Sequence, residues 1–240
     1  MLLQNFLEES AKQYPKKVAL IHRGERWTYE EINERSDQLA TFLRDRGVRR
    51  GDRVAIFMDN SVEVVISLFG ILKADAIFIM LSPSLKSSKL KYILNNCQAK
   101  ALITHVNKLN VLMDVFEATP TIQFTIFSGD KTKIPVNYLS KSIFWNEIFS
   151  SSCPSRLTPY TNIDLDLATI IYTSGSTGDP KGVMLTHLNM ISAATSITTY
   201  LENVPEDIII NVLPLSFDYG LYQVLMAFKF GGTVVLEQSF

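Results

Sequence analysis

Residues 172–187 read YTSGSTGDPKGVMLTH, and this stretch decides how the rest of the chain is interpreted. It combines three glycines, a cluster of serines and threonines, and one lysine. The apolar run 168–172 before it predicts a strand, and residues 182–185 can form a second strand. Glycine tolerates positive φ, so a loop of this composition can turn several backbone N–H groups toward one point. The hydroxyl groups add donors and Lys181 adds a positive charge, a combination that indicates a site for a polyphosphate.

A structural alternative exists for the same residues, because clusters of Gly, Ser and Thr between strands are usually hairpin turns or linkers. Two features favour the phosphate site. Pro180 followed by Lys181 ends the loop abruptly, and the lysine stands directly before the next apolar run. The pattern is not a Walker loop, since no Gly-Lys-Ser/Thr leads into a helix, and its glycine order does not fit a dinucleotide fingerprint.

The stretch closely resembles the phosphate-binding signature of the AMP-forming adenylate ligases, a superfamily of acyl-CoA synthetases, peptide-synthetase adenylation domains and luciferases. Three further segments resemble family motifs in the family's order. They are residues 27–31 (WTYEE), residues 72–83 (LKADAIFIMLSP) and residues 213–218 (LPLSFD). The resemblance therefore covers most of the chain.

This resemblance implies ATP-dependent activation of a carboxylic acid as an acyl-adenylate, followed by transfer to a thiol of coenzyme A or of a carrier protein's phosphopantetheine. The acid is an amino acid or a small acyl acid. ATP and Mg²⁺ are the expected cofactors, because backbone N–H groups, hydroxyls, a lysine and a metal ion can neutralise the phosphates. The implied nucleotide ligands are Thr173, Ser174, Gly175, Ser176, Thr177, Gly178 and Lys181. Lys181 is also the implied catalytic residue, and Thr177 the implied metal ligand.

The substrate side of the implied site lies in the motif at residues 213–218. Amino-acid-activating relatives carry Phe-Asp there, as Phe217 and Asp218 do here, and that aspartate binds the substrate's ammonium group. A carboxylate in an apolar pocket is costly unless a cation pairs with it. The alternative is that Asp218 caps the helix that follows it, since Asp is a favoured N-cap. His187, after the loop, either approaches the substrate, is simply packed, or caps the helix that follows.

Composition limits the class of protein. The chain has 240 residues, of which 47% are hydrophobic, and a net charge of −1, so nothing indicates nucleic-acid binding. Its longest apolar run, residues 64–72, is too short to span a bilayer, and the N-terminus does not fit a signal peptide. The two cysteines show no disulfide framework. These features predict a soluble protein of the cytoplasm.

The alternation of strand-like and helix-like segments predicts an α/β fold, with two packed α/β subdomains and largely parallel sheets flanked by helices. Thr28 and Glu31 form a capping-box pattern, and Gly47 stands where that helix should stop. The pattern weakens over residues 128–165, which predicts a linker around an amphipathic piece at 143–149. The predicted subdomains are residues 1–163 with this linker, and residues 164–240. The remaining predicted segments are strands at 53–58, 76–81, 101–104, 122–127, 207–213 and 233–236, and helices at 61–73, 86–96, after 104 to about 117, 188–201 and 219–230.

The chain departs from the family pattern in two ways. Typical members have a glycine where Asp75 stands, a proline at Met80 and often an acid or amide at Ser82, positions that we interpret as mostly structural. Family members are also roughly twice as long, and the motifs expected downstream are absent. We therefore expect this chain to be an N-terminal fragment that does not complete adenylation at a useful rate alone. A truncated, non-catalytic binding module and a fatty-acyl ligase fragment are the alternatives.

Overall fold

The computed structural model describes residues 1–150, 159–173 and 178–237. Their helices are α1 (Asn5–Gln13), α2 (Tyr29–Asp45), α3 (Val62–Lys73), α4 (Ser87–Asn96), α5 (Leu109–Phe116), α6 (Trp145–Ile148), α7 (His187–Tyr200) and α8 (Asp218–Phe230). Their strands are β1 (Val18–His22), β2 (Glu25–Thr28), β3 (Arg53–Phe57), β4 (Ile77–Met80), β5 (Ala101–His105), β6 (Phe124–Ser128), β7 (Ser142–Phe144), β8 (Leu167–Thr173), β9 (Lys181–Thr186), β10 (Ile208–Asn211) and β11 (Thr233–Leu236). The predicted α/β fold with largely parallel sheets and flanking helices is confirmed.

Helix α2 shows how local sequence sets an element's limits. The Thr28 side chain accepts from the Glu31 N–H, and the Glu31 carboxylate accepts from the Thr28 N–H over 2.8 Å, so the predicted capping box is present. The helix ends before Gly47, whose φ of +85° lies in the left-handed region. Glycine adopts that conformation at little cost, so it stops the helix where the sequence predicts.

The larger sheet contains, within the described ranges, the strands β7-β6-β5-β3-β4-β8-β9 in that spatial order. From β7 to β8 the strands are parallel, and β9 returns antiparallel to β8 as a hairpin. Alternate residues face opposite sides: Val54 and Ile56 pack with α2 and α3, whereas Ala55 and Phe57 pack with α4 and α5. Both faces are buried, which explains why the central strands read as continuous apolar runs.

The smaller sheet joins distant parts of the chain. Its order in the described residues is β10-β11-β1-β2, with β1 parallel to β11 and antiparallel to β2. The sequence analysis did not identify α1, β1 or β2. The predicted boundary between residues 163 and 164 does not separate the two sheets, because β8 and β9 join the larger sheet while β1 and β2 join the smaller one. Where the chain divides into subdomains stays a prediction.

Residues 142–148 coincide with the amphipathic piece at 143–149 that the sequence predicts within a linker. Ser142–Phe144 is strand β7, paired in parallel with β6 through Ile126 and Ile143. The short helix α6 then buries Trp145 and Ile148 in the core. The buried side chains of Ile143, Trp145 and Ile148 attach this segment to the core. The segment is too short to show a clear hydrophobic period in the sequence. The serine-rich run at 151–158 lies outside the described residues.

No helix of the described residues has the length and apolar content needed to cross a lipid bilayer.

An ion pair between a fully buried lysine and a partly buried aspartate ties α3 to α2. Lys73 has 0% exposure, and its ammonium donates to the Asp37 carboxylate and, over 2.7 Å, to Asn33 Oδ1. Burial lowers the pKa of Lys73 and raises that of Asp37, since each charged form loses water, and their mutual attraction opposes both shifts. A buried charge without its partner is strongly destabilising, so this pair holds the two helices in one register.

Asp75 occupies the position where the family pattern has glycine, and its φ of +62° explains that preference. A non-glycine residue in this region costs about 1–2 kcal/mol. Asp75 Oδ2 offsets the cost by accepting from Arg44 Nη2 at 3.2 Å, Thr161 N–H at 3.1 Å and Thr161 Oγ1 at 3.0 Å. The carboxylate thereby connects α2 to the segment that leads into β8.

We expect Asp75→Ala to lower the free energy of unfolding by about 2–4 kcal/mol, because it removes buried charged hydrogen bonds and keeps the unfavourable backbone. Asp75→Gly should be about 1 kcal/mol less harmful, since glycine relieves the left-handed conformation. Urea unfolding measures both. The control is Glu202, an exposed residue with φ of +54°, where Gly should be neutral or stabilising. An Asp75→Gly variant more stable than the parent would contradict this account.

His187 is packed against the N-terminal segment. It is the first residue of α7, has 0% exposure, and its Nδ1 accepts from the Leu3 N–H over 3.1 Å. The Nε2 atom is buried without a hydrogen-bond partner among the described residues. Burial lowers the pKa of His187 to about 4, against the opposing pull of the Asp166, Asp75 and Asp164 carboxylates. The ring is therefore neutral at ordinary pH.

We expect acid to destabilise the fold through His187. In the folded state the ring stays neutral, while the unfolded chain takes up a proton below pH 6.5, so stability is full above pH 6.5 and falls as pH drops to about 4. The loss over that window is about 3 kcal/mol. His187→Gln should lower stability at pH 7 but flatten this slope in urea unfolding at several pH values. His105→Gln, at the half-buried end of β5, is the matched control; an equal flattening there would refute the assignment.

Candidate phosphate and acid site

The hairpin β8–β9 positions the two flanks of the glycine- and hydroxyl-rich loop. Thr173 ends β8 and is paired across the hairpin with Lys181, which begins β9. The alternative of a hairpin connection is thus correct for the backbone, and it leaves the phosphate role open. The predicted ligands Ser174, Gly175, Ser176 and Thr177 lie outside the described residues. Thr173, Gly178 and Lys181 are described, and all three are exposed.

The structure explains why glycine stands at two positions of the hairpin. Gly178 has φ of +102°, as expected of a loop that must turn backbone N–H groups inward, and a Cβ there would meet nothing within 4 Å. At Gly182 a Cβ would lie 2.7 Å from Ile170 Cγ2 and 3.2 Å from Tyr172 Cζ. Gly182 therefore allows the strands to approach closely, and the Tyr172 hydroxyl is held by Asn96 Oδ1 at 2.5 Å.

Lys181 is available to a ligand. It lies on an edge strand and makes no ion pair with any residue that the structure describes. An ammonium group on a flexible side chain, exposed and unpaired, is suited to bind phosphate oxygens. Its position next to the loop fits the predicted role, which stays a prediction.

A cavity of about 580 Å³ lies in front of the hairpin, at the carboxyl ends of β4 and β8. It brings the flanks of the loop, Thr173 and Pro180, together with Phe217 and Asp218 of the substrate-side motif. Parallel sheets commonly bind ligands at this edge. Its remaining lining residues are Met80, Leu81, Ser82, Leu85, Lys89, Ile93, Ile171, Tyr172, Ser216 and Tyr219.

Met80 and Ser82, which we interpreted as mostly structural positions, thus line the cavity together with residues of α4 that the sequence analysis missed. The sequence signal for Met80 and Ser82 was their place at the end of a buried parallel strand, where side chains reach the ligand-binding edge of a sheet.

Asp218 is the first residue of α8, and the residue at the N-cap position is Phe217, without a side-chain cap. The alternative prediction of Asp218 as the N-cap is therefore wrong, because the chain enters the helix one residue earlier. Asp218 and Phe217 are exposed at the cavity, so the argument from desolvation of the carboxylate does not hold in this structure. A carboxylate in the first turn is still favoured by the helix dipole.

His187 is not part of the cavity. Its packing against Leu3 fits the alternative of a packed residue, and a ligand in the cavity does not reach its ring. The role in substrate binding receives no support from this placement.

The loop between β10 and α8, which contains the substrate-side motif, is held by two buried side-chain amides. Asn211, at the end of β10, accepts from the Leu213 N–H at 3.0 Å and donates to the Gly220 carbonyl at 2.8 Å. Asn60, in the turn that follows β3 of the larger sheet, bonds the same loop at Leu213 and Leu215. A Cβ on Gly220 would lie 2.6 Å from the Pro214 carbonyl oxygen, so α8 packs directly on this loop. The sequence analysis missed both amides.

The described residues do not test the predicted magnesium site. The predicted ligand Thr177 lies outside them, and within them there is no group of three or more His, Cys, Asp or Glu side chains that could hold a metal ion. Magnesium coordination stays a prediction.

This chain is similar in sequence to bacterial synthases. Bacitracin synthase 3 of Bacillus licheniformis is 32% identical over 231 residues, which are 96% of this chain and 3% of that protein. Zwittermicin A synthase ZmaJ of Bacillus cereus is 32% identical over 222 residues, 92% of this chain and 38% of that protein. The chain thus spans only a small part of these relatives.

Two solved structures share the fold. The anthranilate CoA ligase AuaEII, in complex with anthranoyl-AMP, superposes with a TM-score of 0.91 at 26% identity over all of this chain and 45% of that one. VinN in complex with L-aspartate superposes with a TM-score of 0.84 at 26% identity, over 98% of this chain and 57% of that one. The model of the AMP-binding enzyme family matches residues 7–240, and this chain therefore belongs to that family.

Proposed function

We propose that this chain carries the phosphate-binding and acid-binding walls of an enzyme that uses ATP to activate a carboxylic acid as an acyl-adenylate. The observation that carries the proposal is the single cavity edge at which the flanks of the loop, Thr173 and Pro180, meet Phe217 and Asp218. Phosphate and acid must lie side by side for an acid to attack the α-phosphate, and this cavity gives both a place.

Within this reaction, Lys181 and the loop at 173–178 bind the triphosphate. The chemical obstacle is the approach of a negatively charged carboxylate to a negatively charged phosphate. A lysine and N–H donors lower that barrier by neutralising charge that the transition state concentrates. Mg²⁺ would supply further neutralisation when bound with ATP, through ligands that include Thr177.

The acid that we propose is an amino acid. Asp218 presents an exposed carboxylate at the cavity, which suits the ammonium group of a zwitterion. The relatives support this choice, since VinN binds L-aspartate and AuaEII binds the adenylate of an amino-substituted acid. A thiol of coenzyme A or of a carrier protein then receives the acyl group, and the cytoplasm, where ATP and free thiols are abundant, is the proposed location.

Lys181→Met tests the reaction itself. We expect it to lower ATP–pyrophosphate exchange at least 100-fold, because an oriented charge at the reacting phosphates is lost. Exchange is measured on the complete gene product with Mg-ATP and a panel of amino acids and short and long fatty acids. Lys12→Met, at an exposed lysine of α1, is the control. Undiminished exchange in Lys181→Met would refute the role of this lysine, whereas ATP binding without exchange in the parent protein would favour a binding module.

Asp218→Asn tests the class of acid. The substitution keeps the shape and removes the charge, so we expect the KM for the preferred amino acid to rise about 5-fold, the equivalent of about 1 kcal/mol for an ion pair at an exposed carboxylate. The KM for ATP should stay within twofold. Asp114→Asn, on the exposed surface of α5, is the control. Unchanged kinetics with amino acids, or better kinetics with plain fatty acids in both proteins, would exclude the ammonium partner.

A further inference from the structure

Asn60 lies in the turn between β3 and α3, far in sequence from Phe217 and Asp218, which form the acid wall of the cavity. Its side chain is 5% exposed. Nδ2 donates to the Leu213 carbonyl at 2.9 Å and to the Glu237 carbonyl at 3.1 Å, and Oδ1 accepts from the Leu215 N–H at 3.0 Å. The two carbonyl acceptors and the one N–H donor fix the orientation of the amide, because the flipped amide would satisfy none of them.

These bonds hold both sides of Pro214. The Pro214 carbonyl in turn accepts from the Phe217 N–H at 3.0 Å and closes the turn that delivers Phe217 and Asp218 to the cavity. Asn211 and the close approach of Gly220 restrain the same loop from the side of the smaller sheet. Asn60 adds a contact from the turn that follows β3, and β3 belongs to the larger sheet, which also contains the hairpin β8–β9.

We propose that Asn60 is a positioning residue, which sets the acid wall of the cavity relative to the phosphate loop. The inference rests on the proposed function for its consequence in catalysis, but not for its structural content. Asn60 touches no reacting atom. It acts through the Leu213–Leu215 backbone, so its loss displaces Phe217 and Asp218 while Thr173 and Lys181, paired across the hairpin, keep their places.

Such a residue has a signature that a general loss of stability does not produce. Displacing the acid wall changes the position of the acid carboxylate relative to the nucleotide, and small displacements of a reacting group are costly. The contacts to ATP are made elsewhere. The KM for the acid and the rate of exchange should therefore change, whereas the KM for ATP should not.

The test compares Asn60→Ala and Asn60→Asp with Thr104→Val. Asn60→Asp keeps the size and the acceptor for Leu215 but loses both donors, and it serves where Asn60→Ala does not fold. Thr104→Val is the matched control, because Thr104 is equally buried and loses one bond, from Oγ1 to the Phe57 carbonyl at 2.6 Å, without contacting the acid wall.

The first measurement is residue-level hydrogen exchange on the 240-residue chain, which needs no substrate. We expect the Leu215 amide to exchange at least 10-fold faster in Asn60→Ala, and the Phe217 amide, which donates to the Pro214 carbonyl, to follow, with no such change in Thr104→Val. In Asn60→Asp, Leu215 should stay protected while Phe217 loses protection. Leu215 protection within twofold of the parent in Asn60→Ala would overturn the proposal, whatever the protein catalyses.

The second measurement is pyrophosphate exchange with Mg-ATP and the best acid of the panel, on the complete gene product. We expect at least a 10-fold loss in kcat/KM for the acid in both Asn60 variants, with the KM for ATP within twofold. An equal rise in both KM values would overturn the positioning role. Absence of exchange in the unmodified protein would count against the proposed function alone, since the amide exchange rates decide the role of Asn60 independently.

Discussion

The parallel pairing of β8 with β4 is the constraint on which the candidate site depends. The register places Thr169 beside Phe78, and Thr169 Oγ1 donates to the Phe78 carbonyl over 2.7 Å in a fully buried position. Parallel strands end at the same edge of a sheet, so this pairing sets the residues after β4 next to Thr173, where the glycine- and hydroxyl-rich loop begins. Without it, the hairpin β8–β9 would have no sheet to join, and the cavity would lose one of its walls.

A second set of constraints is polar and buried. Asn60 reaches the loop after β10, Lys73 pairs with Asp37, and Asp75 binds the segment before β8. Burying an amide or a charge is unfavourable unless each is paired, so every such contact penalises arrangements of the chain that leave it unpaired. Apolar packing makes the core stable, whereas these few polar contacts determine how its helices, sheets and loops are placed relative to one another.

Sequence patterns predicted the elements that carry a clear local signal, and these include strands with distant partners. The capping box of α2 and the apolar run of β3 are visible in a short window, and the structure confirms both. Strand β11 was also predicted, although it pairs with β1 far away in the chain. Strand β1 itself has a weak local signal, since its turn to β2 uses Arg23 at φ of +51°, an uncommon residue for that conformation. Asn60 carries no local signal, because its partners are 153 and 177 residues away.

The two walls of the cavity differ in how firmly they are held, and this difference bears on the proposed chemistry. Thr173, Gly178 and Lys181 form the phosphate wall, the side of the site proposed for phosphate. All three are exposed and the space around Gly178 is open, so this wall stays hydrated until a ligand displaces the water. The acid wall rests on two buried amides and on direct packing of α8. A wall already ordered before binding adds little entropy cost when the acid arrives, and it can reject an acid of the wrong shape. In the proposed reaction, we therefore assign discrimination among acids to the rigid acid wall, and binding of the triphosphate, which is common to every acid, to the open phosphate wall.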